Sequence, residues 1–162
     1  MRSLQKTDLV SRFSTVESLQ SFLQDRRSFL AGWPNGSTIL WSAAQKFTLP
    51  VELLLSILQA EFSFLSRRSA WTHGTLITFF RKRFPHVKNF EEGIFNFAHY
   101  LAQLSPSQSP FARYAQKFHS THSTAYTHYL LMIHHHYFPD ERTPFSWFSF
   151  RKYASREIPS RN

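Results

Sequence analysis

Apolar residues recur at helical spacing along most of this chain. Val16, Leu19, Leu23 and Leu30 lie three, four and seven positions apart, and this period predicts one amphipathic helix over 16–31. The same reasoning predicts further helices over 38–47, from Pro50 through Glu61, over 90–104, over 111–118 and over 124–138. The apolar run 76–84 is compatible with either a strand or a short helix.

Polar and turn-forming residues mark where several of these helices begin. The cluster "GWPNGS" (32–37) predicts a turn, with Ser37 as the cap of the helix that follows. Pro50 suits a first helical turn, where a backbone N–H has no partner in any case. Asn89 is predicted to cap the helix over 90–104, and Glu91 and Glu92 would stabilise its first turn through the helix dipole.

The pattern as a whole predicts a mostly α, single-domain fold of about five to six helices. A chain of 162 residues that is 42% apolar is long enough to bury one core and is not typical of a disordered protein. We expect the helical domain to span 16–138. An N-terminal extension (1–15) precedes it and a basic, aromatic tail (139–162) follows it.

Composition indicates which partners the protein favours but not its compartment. With 19 Lys and Arg against 10 Asp and Glu, the formal charge of +9 favours a polyanionic neighbour: nucleic acid, anionic lipid or an acidic cell-wall polymer. The alternative is a basic surface without a specific partner. No stretch approaches the roughly 20 apolar residues of a membrane span, and the N-terminal residues lack the apolar region of a secretory signal. With no cysteine in the chain, the sequence leaves the localisation open.

Glu61 is the acidic residue that helical spacing places among apolar neighbours. Ile57 and Leu58 precede it by one turn, and Phe64 and Leu65 follow it by one turn. Burial disfavours the charged form of a carboxyl, so an acid in such a position can keep a proton and serve as a general acid. Alternatively, Glu61 marks the helix end or pairs with Arg67 or Arg68. None of the other acids is expected to have a comparably apolar setting.

The segment around Glu61 resembles the lysozyme-like superfamily, above all the soluble lytic transglycosylases. "AAQKFTLPVELLLSILQAEFSF" (43–64) is similar to that family's small-residue helix, its turn ending in proline, and its helix ending in the catalytic glutamate. Lower-fidelity similarity continues through His73–Leu76, through "NFEEGIFNFAHYLAQL" (89–104), through "FARYAQ" (111–116) and through the Tyr126–Tyr137 segment. The order of the blocks is that of the family.

The resemblance implies a lysozyme-like helical domain with a substrate groove and a cofactor-free reaction on peptidoglycan. Glu61 would be the sole general acid/base. It would cleave the β-1,4 bond between N-acetylmuramic acid and N-acetylglucosamine and give 1,6-anhydro products. Tyr114 would bind the reacting sugar or orient Glu61, and Ser63 and Gly74 would line the groove. Trp71 would stack on a sugar ring or, alternatively, form part of a core wall.

Departures from the family pattern leave two alternatives open. Phe62 stands where the family has serine, the family's Met-Gln segment is missing, and Tyr114 is not followed by asparagine. These changes favour a non-catalytic glycan-binding or scaffold module. An N-acetylglucosaminidase-type hydrolase is the other alternative. It would need a second carboxylate, such as Glu91 or Glu92, at about 5–9.5 Å from the first.

The remaining chemistry-bearing residues give weaker indications. The nine histidines include the run His134–His136, but successive helical residues point about 100° apart and cannot converge on one ion, so no metal site is expected. Arg and Lys interleave with aromatics in "FFRKRF" (79–84), which is compatible with single-stranded nucleic acid. No nucleic-acid-binding motif accompanies them, and no specific nucleic acid is expected. The oligomeric state cannot be read from the sequence.

Overall fold

The computed structural model describes residues 11–66, 71–104 and 109–139, and this part of the chain is mostly helical, without strands. It contains eight α-helices: α1 (Val16–Asp25), α2 (Phe29–Gly32), α3 (Gly36–Lys46), α4 (Val51–Phe62), α5 (His73–Arg81), α6 (Phe90–Ala102), α7 (Pro110–Phe118) and α8 (Ser123–Tyr137). A short 3-10 helix, Ser120–His122, precedes α8. The mostly α class is therefore confirmed, although eight helices exceed the predicted five to six.

The chain forms two compact units. One is Leu9–Ser105, which contains α1 to α6, and the described part of the other contains α7 and α8. Within the second unit, α7 packs on α8 and buries Phe111, Ala115 and Leu130. The predicted extension 1–15 and tail 139–162 lie mostly outside the described residues.

The first predicted helix is divided in two. Thr15 caps α1 by accepting a hydrogen bond from the backbone N–H of Ser18, whose hydroxyl in turn accepts from the N–H of Thr15. Arg27 then takes a left-handed conformation, φ 53°, which interrupts the helix. The hydroxyl of Ser28 accepts from the N–H of Leu30 and begins α2. The prediction of a single helix over 16–31 is therefore wrong, because hydrophobic periodicity does not reveal one residue in the left-handed conformation.

The turn before α3 also differs from its prediction. Ser37 is buried inside the first turn of α3, and the cap position belongs to Asn35, which lies in the left-handed region at φ 57° and makes no side-chain cap bond. Asparagine tolerates that region better than most residues. The adjacent Gly36 is required sterically, because a Cβ there would lie 2.5 Å from the carbonyl oxygen of Leu30.

Helix α4 is the centre of the larger unit. Nine of its twelve residues are buried, so it has no solvated face of the kind found on a surface helix. Pro50 occupies its N-cap, and it ends at Phe62, after which Ser63 turns the chain in a left-handed conformation at φ 57°. The two ends of α4 carry the two buried carboxylates of this unit that are described below.

Helices α5 and α6 resolve the ambiguous segment and confirm a predicted cap. Residues 76–81 are helical, as part of α5, whose cap Thr72 accepts from the N–H of Thr75. Asn89 caps α6 by accepting from the N–H of Glu92. The two helices approach closely at Gly93, where a Cβ would lie 2.2 Å from Cδ2 of Phe80.

An aromatic cluster fills the core beside the end of α4. Phe62 packs on Phe64, Phe80 and Phe97 with ring centroids 5.1–5.8 Å apart. Phe90 adds a further ring against Phe64 and Phe80. Such ring pairs add to the free energy gained from apolar burial, so this end of α4 is anchored in the core of the unit.

Candidate active site at the end of helix α4

The apolar neighbours predicted for Glu61 are buried, although α4 ends at Phe62, before Phe64 and Leu65. Leu54, Ile57 and Leu58 are fully buried, Phe64 is fully buried and Leu65 nearly so. The Glu61 side chain itself is only 7% exposed. Helical periodicity therefore located a buried carboxyl correctly.

The carboxylate of Glu61 pairs with an arginine that the sequence did not indicate. Nη2 of Arg83 donates to Oε2 of Glu61 at 2.9 Å, and the Arg83 side chain is 22% exposed. Arg67 and Arg68, the partners suggested by proximity in sequence, lie outside the described residues. A guanidinium at this distance favours the ionised carboxylate. The pair therefore opposes a role of Glu61 as general acid unless Arg83 moves away.

Three of the other predicted site residues lie in the same unit as Glu61. The indole Nε1–H of Trp71 donates to the carbonyl oxygen of Phe62 at 2.9 Å, which brings Trp71 to the end of α4. The Trp71 ring packs edge-on against Phe79 at 4.9 Å and is half-buried. Ser63 is exposed directly after Glu61 and Phe62, and Gly74 is exposed in the first turn of α5.

Tyr114 belongs to the other unit, on α7. Its side chain is fully buried, with its ring 4.8 Å from that of Phe118 and 6.2 Å from that of His119. In this position the residue contributes to the core of its own unit.

Phe62, which stands where the resembled family has serine, has a structural role in this chain. It is 3% exposed and contacts three other phenylalanine rings of the aromatic cluster. A serine here would remove this ring from a packed core, a change that typically costs about 3–5 kcal/mol for a large-to-small substitution. Phe62, which departs from the family pattern, thus contributes to the packing of the aromatic cluster.

A second buried carboxylate corrects one expectation. Glu52, in the first turn of α4, is 4% exposed, so Glu61 is not the only acid in a buried setting. Its Oε1 accepts from the backbone N–H of Arg12 at 2.8 Å and from the hydroxyl of Ser11 at 3.0 Å. The two acids lie nine positions apart on α4, about 13 Å along the helix axis between their Cα atoms.

Glu91 and Glu92, the other candidates for a second carboxylate, have positions typical of a helix start. Glu91 is exposed, and Oε2 of Glu92 accepts from the backbone N–H of Lys88 at 2.8 Å. With Asn89 bonded to the N–H of Glu92, these contacts satisfy one N–H group in the first turn of α6 and one just before its cap. Helix capping accounts for Glu92 without a catalytic role.

The histidine-rich helix α8 combines burial with ring stacking. His128 is buried, and the ring of His119 stacks on that of Tyr126 with centroids 3.6 Å apart. Burial, with a smaller contribution from the neighbouring His136, lowers the pKa of His135, so this imidazole stays neutral to a lower pH than usual. Within residues 11–66, 71–104 and 109–139, no group of three or more His, Asp or Glu is arranged to hold a metal ion.

No helix in the described part of the chain has the length and hydropathy needed to cross a membrane. Comparison with protein-family models, with curated proteins and with solved structures finds no match to this chain. The functional assignment therefore depends on the site itself and on the sequence resemblance.

Proposed function

We propose that this protein is a lysozyme-like lytic transglycosylase that cleaves peptidoglycan, with Glu61 as its general acid/base. The observation that carries the proposal is the carboxyl of Glu61, 7% exposed, at the end of a buried helix. The resemblance over 43–64 assigns the catalytic glutamate to the same residue. A buried carboxyl is the type of group whose proton affinity proteins adjust for acid–base catalysis.

The proposed reaction uses Glu61 twice. Its carboxyl first protonates the glycosidic oxygen between N-acetylmuramic acid and N-acetylglucosamine, while the substrate's acetamido group assists departure. The resulting carboxylate then takes the proton of the C6 hydroxyl as that oxygen closes the 1,6-anhydro ring. Since an acid needs its proton, Arg83 must withdraw from Oε2 when the glycan binds, and it can return to stabilise the carboxylate afterwards.

The groove residues are assigned by position. Ser63 and Gly74, both exposed in the same unit as Glu61, are proposed to line the groove, with Trp71 beside them at the end of α4. The role of Tyr114 rests on the resemblance alone, and its fully buried hydroxyl would have to become accessible to reach a sugar.

The decisive experiment is Glu61→Gln with product analysis on purified peptidoglycan. We expect the wild type to release anhydro-muropeptides and Glu61→Gln to release none, while circular dichroism shows that the variant is still folded at the assay temperature. Glu17→Gln, at an exposed position in the first turn of α1, is the matched control and should keep full release. Release that survives Glu61→Gln would refute the assignment. Reducing-end products that are lost in Glu91→Gln or Glu92→Gln would identify the hydrolase instead.

A specific observation supports a second candidate, a non-catalytic glycan-binding module. The ion pair of Glu61 with Arg83, at 2.9 Å, suits a carboxylate that stays ionised and takes no part in proton transfer. Phe62, which stands where the resembled family has serine, packs in the core. In that case the wild type sediments with peptidoglycan, and mass spectrometry finds no soluble product.

A further inference from the structure

The turn between α5 and α6 concentrates positive charge. We define the basic turn as residues 81–88, "RKRFPHVK", which holds four Lys and Arg and one His. The chain has no Asp or Glu between Glu61 and Glu91. Arg81, Lys82, His86 and Lys88 are exposed, and Arg83 is half-buried.

Two of these cations are held in place. Nε of Arg81 donates to the carbonyl oxygen of Val87 at 2.8 Å, which ties the guanidinium across the turn to the residue before Lys88. Nζ of Lys82 lies 4.1 Å from the centroid of the Phe79 ring, a cation–π contact. Side chains that are already ordered lose less conformational entropy when they bind a ligand.

The charge of the basic turn is only partly neutralised by the protein. Arg83 pairs with Glu61, whereas Arg81, Lys82 and Lys88 form no ion pair with a carboxylate among the described residues. The nearby Glu92 accepts from the backbone N–H of Lys88 and not from its ammonium group. The outer nitrogens of Arg81 therefore remain available as a planar pair of donors, the arrangement that matches a phosphate group.

The aromatic rings near the basic turn are packed against one another. Phe79 contacts Trp71 at 4.9 Å and Phe84 contacts Phe97 at 4.9 Å. Binding of single-stranded nucleic acid typically uses exposed rings on which bases stack. The large apolar side chains that are exposed in the described part of the chain, Tyr129 and Met132, belong to the other unit. The basic turn therefore fits repeated phosphates better than bases.

We propose that the basic turn binds the phosphate groups of a polyol-phosphate polymer attached to peptidoglycan. This inference rests on the proposed function, because Arg83 of the same turn contacts Glu61 and so places the cations beside the cleavage site. Arg81 binds one phosphate through two nitrogens, and Lys82 and Lys88 bind neighbouring phosphates by charge. The substrate class is thus peptidoglycan that carries phosphate chains.

Co-sedimentation with two preparations of one peptidoglycan tests this site, one with its polyol-phosphate chains and one after their removal by acid. At 0.1 M salt we expect the wild type to bind the phosphate-bearing form at least about tenfold more tightly, with an affinity that falls as salt rises. Lys82→Glu with Lys88→Glu should remove that preference. The matched control is Arg26→Glu with Lys46→Glu, which makes the same charge change at exposed positions just after α1 and at the end of α3 in the same unit, and it should keep the preference. Circular dichroism checks that both double variants are folded.

The variant Arg81→Lys distinguishes the effect of charge from that of geometry, because it keeps the positive charge but loses the planar pair of donors. We expect it to weaken binding of the phosphate-bearing peptidoglycan several-fold. The proposal is overturned if both peptidoglycan forms bind equally or if the two double variants behave alike. It is also overturned if a single-stranded DNA oligonucleotide binds as tightly as the free polyol-phosphate chain. Muropeptide release by the wild type from phosphate-free peptidoglycan tests the proposed function separately. Binding of phosphate chains without any release would refute cleavage and leave the phosphate site intact.

Discussion

The contact between Glu61 and Arg83 joins two residues that are 22 positions apart in sequence. The helical period places Ile57 and Leu58 one turn before Glu61, but α4 ends at Phe62, so the burial of Phe64 and Leu65 near it depends on the turn at Ser63 and not on that period. The arginine that meets Glu61 depends on how α5 and its following turn cross the end of α4. No local pattern contains that information, so the sequence predicted the acid but not its partner.

A double-mutant cycle on this pair measures their coupling. Removing one partner of a buried ion pair leaves the other unsatisfied, and Arg83 retains some contact with water. Glu61→Gln and Arg83→Met should therefore each lower the free energy of unfolding by about 1–3 kcal/mol. The double variant should cost less than the sum of the two. Urea unfolding provides the values, and strict additivity would contradict a direct interaction.

Helix starts were predictable from sequence where a side chain makes the cap. Asn89 bonds to the N–H of Glu92 as expected, because a capping residue acts on a backbone group only three positions ahead. The helix break at Arg27 and the left-handed Asn35 were not predictable. In both places the longer-range packing of α1, α2 and α3 selects a backbone conformation that residue preferences do not demand.

Two glycines on neighbouring helices give a matched test of how closely α5 and α6 pack. Gly93→Ala places a methyl group 2.2 Å from Cδ2 of Phe80, a buried core ring, and should destabilise the protein by about 1–3 kcal/mol or more through overpacking. Gly74→Ala meets no atom within 4 Å. It should be neutral or stabilise by up to about 1 kcal/mol through helix propensity. Thermal unfolding distinguishes them, and equal effects would show that the approach at Gly93 is looser than described.

At the scale of the whole molecule, the sequence predicted a helical protein but gave no sign of two compact units. Their boundary falls between residues 105 and 106, at the start of "SPSQSP" (105–110), a sequence typical of an ordinary loop between helices. Whether such a loop separates two units depends on how many tertiary contacts form within each flanking set of helices and how many form between the sets. A single sequence does not show these contacts. The net positive charge was evident from composition. Which of the cations at residues 81–88 are neutralised by carboxylates depends on the ion pairs that form in the folded protein.

The larger unit should fold by itself. It contains α1 to α6, the aromatic cluster and both carboxylates of α4. A fragment comprising residues 9–105 should keep a helical circular dichroism spectrum and unfold cooperatively in urea, because a domain with its own core does not need the rest of the chain. A fragment that shows helix without a cooperative transition would contradict this.

The bond between Glu52 and Arg12 has a consequence for how this protein can diverge. The donor at position 12 is the main-chain N–H, a group that every amino acid except proline supplies. This backbone bond therefore does not itself require arginine at position 12, because any residue except proline can supply the donor. Covariation between the two segments is therefore expected at positions 11 and 52, where the Ser11 hydroxyl donates to Glu52, and the bond from the main chain of residue 12 adds none, although loss of the Glu52 carboxylate would break both bonds.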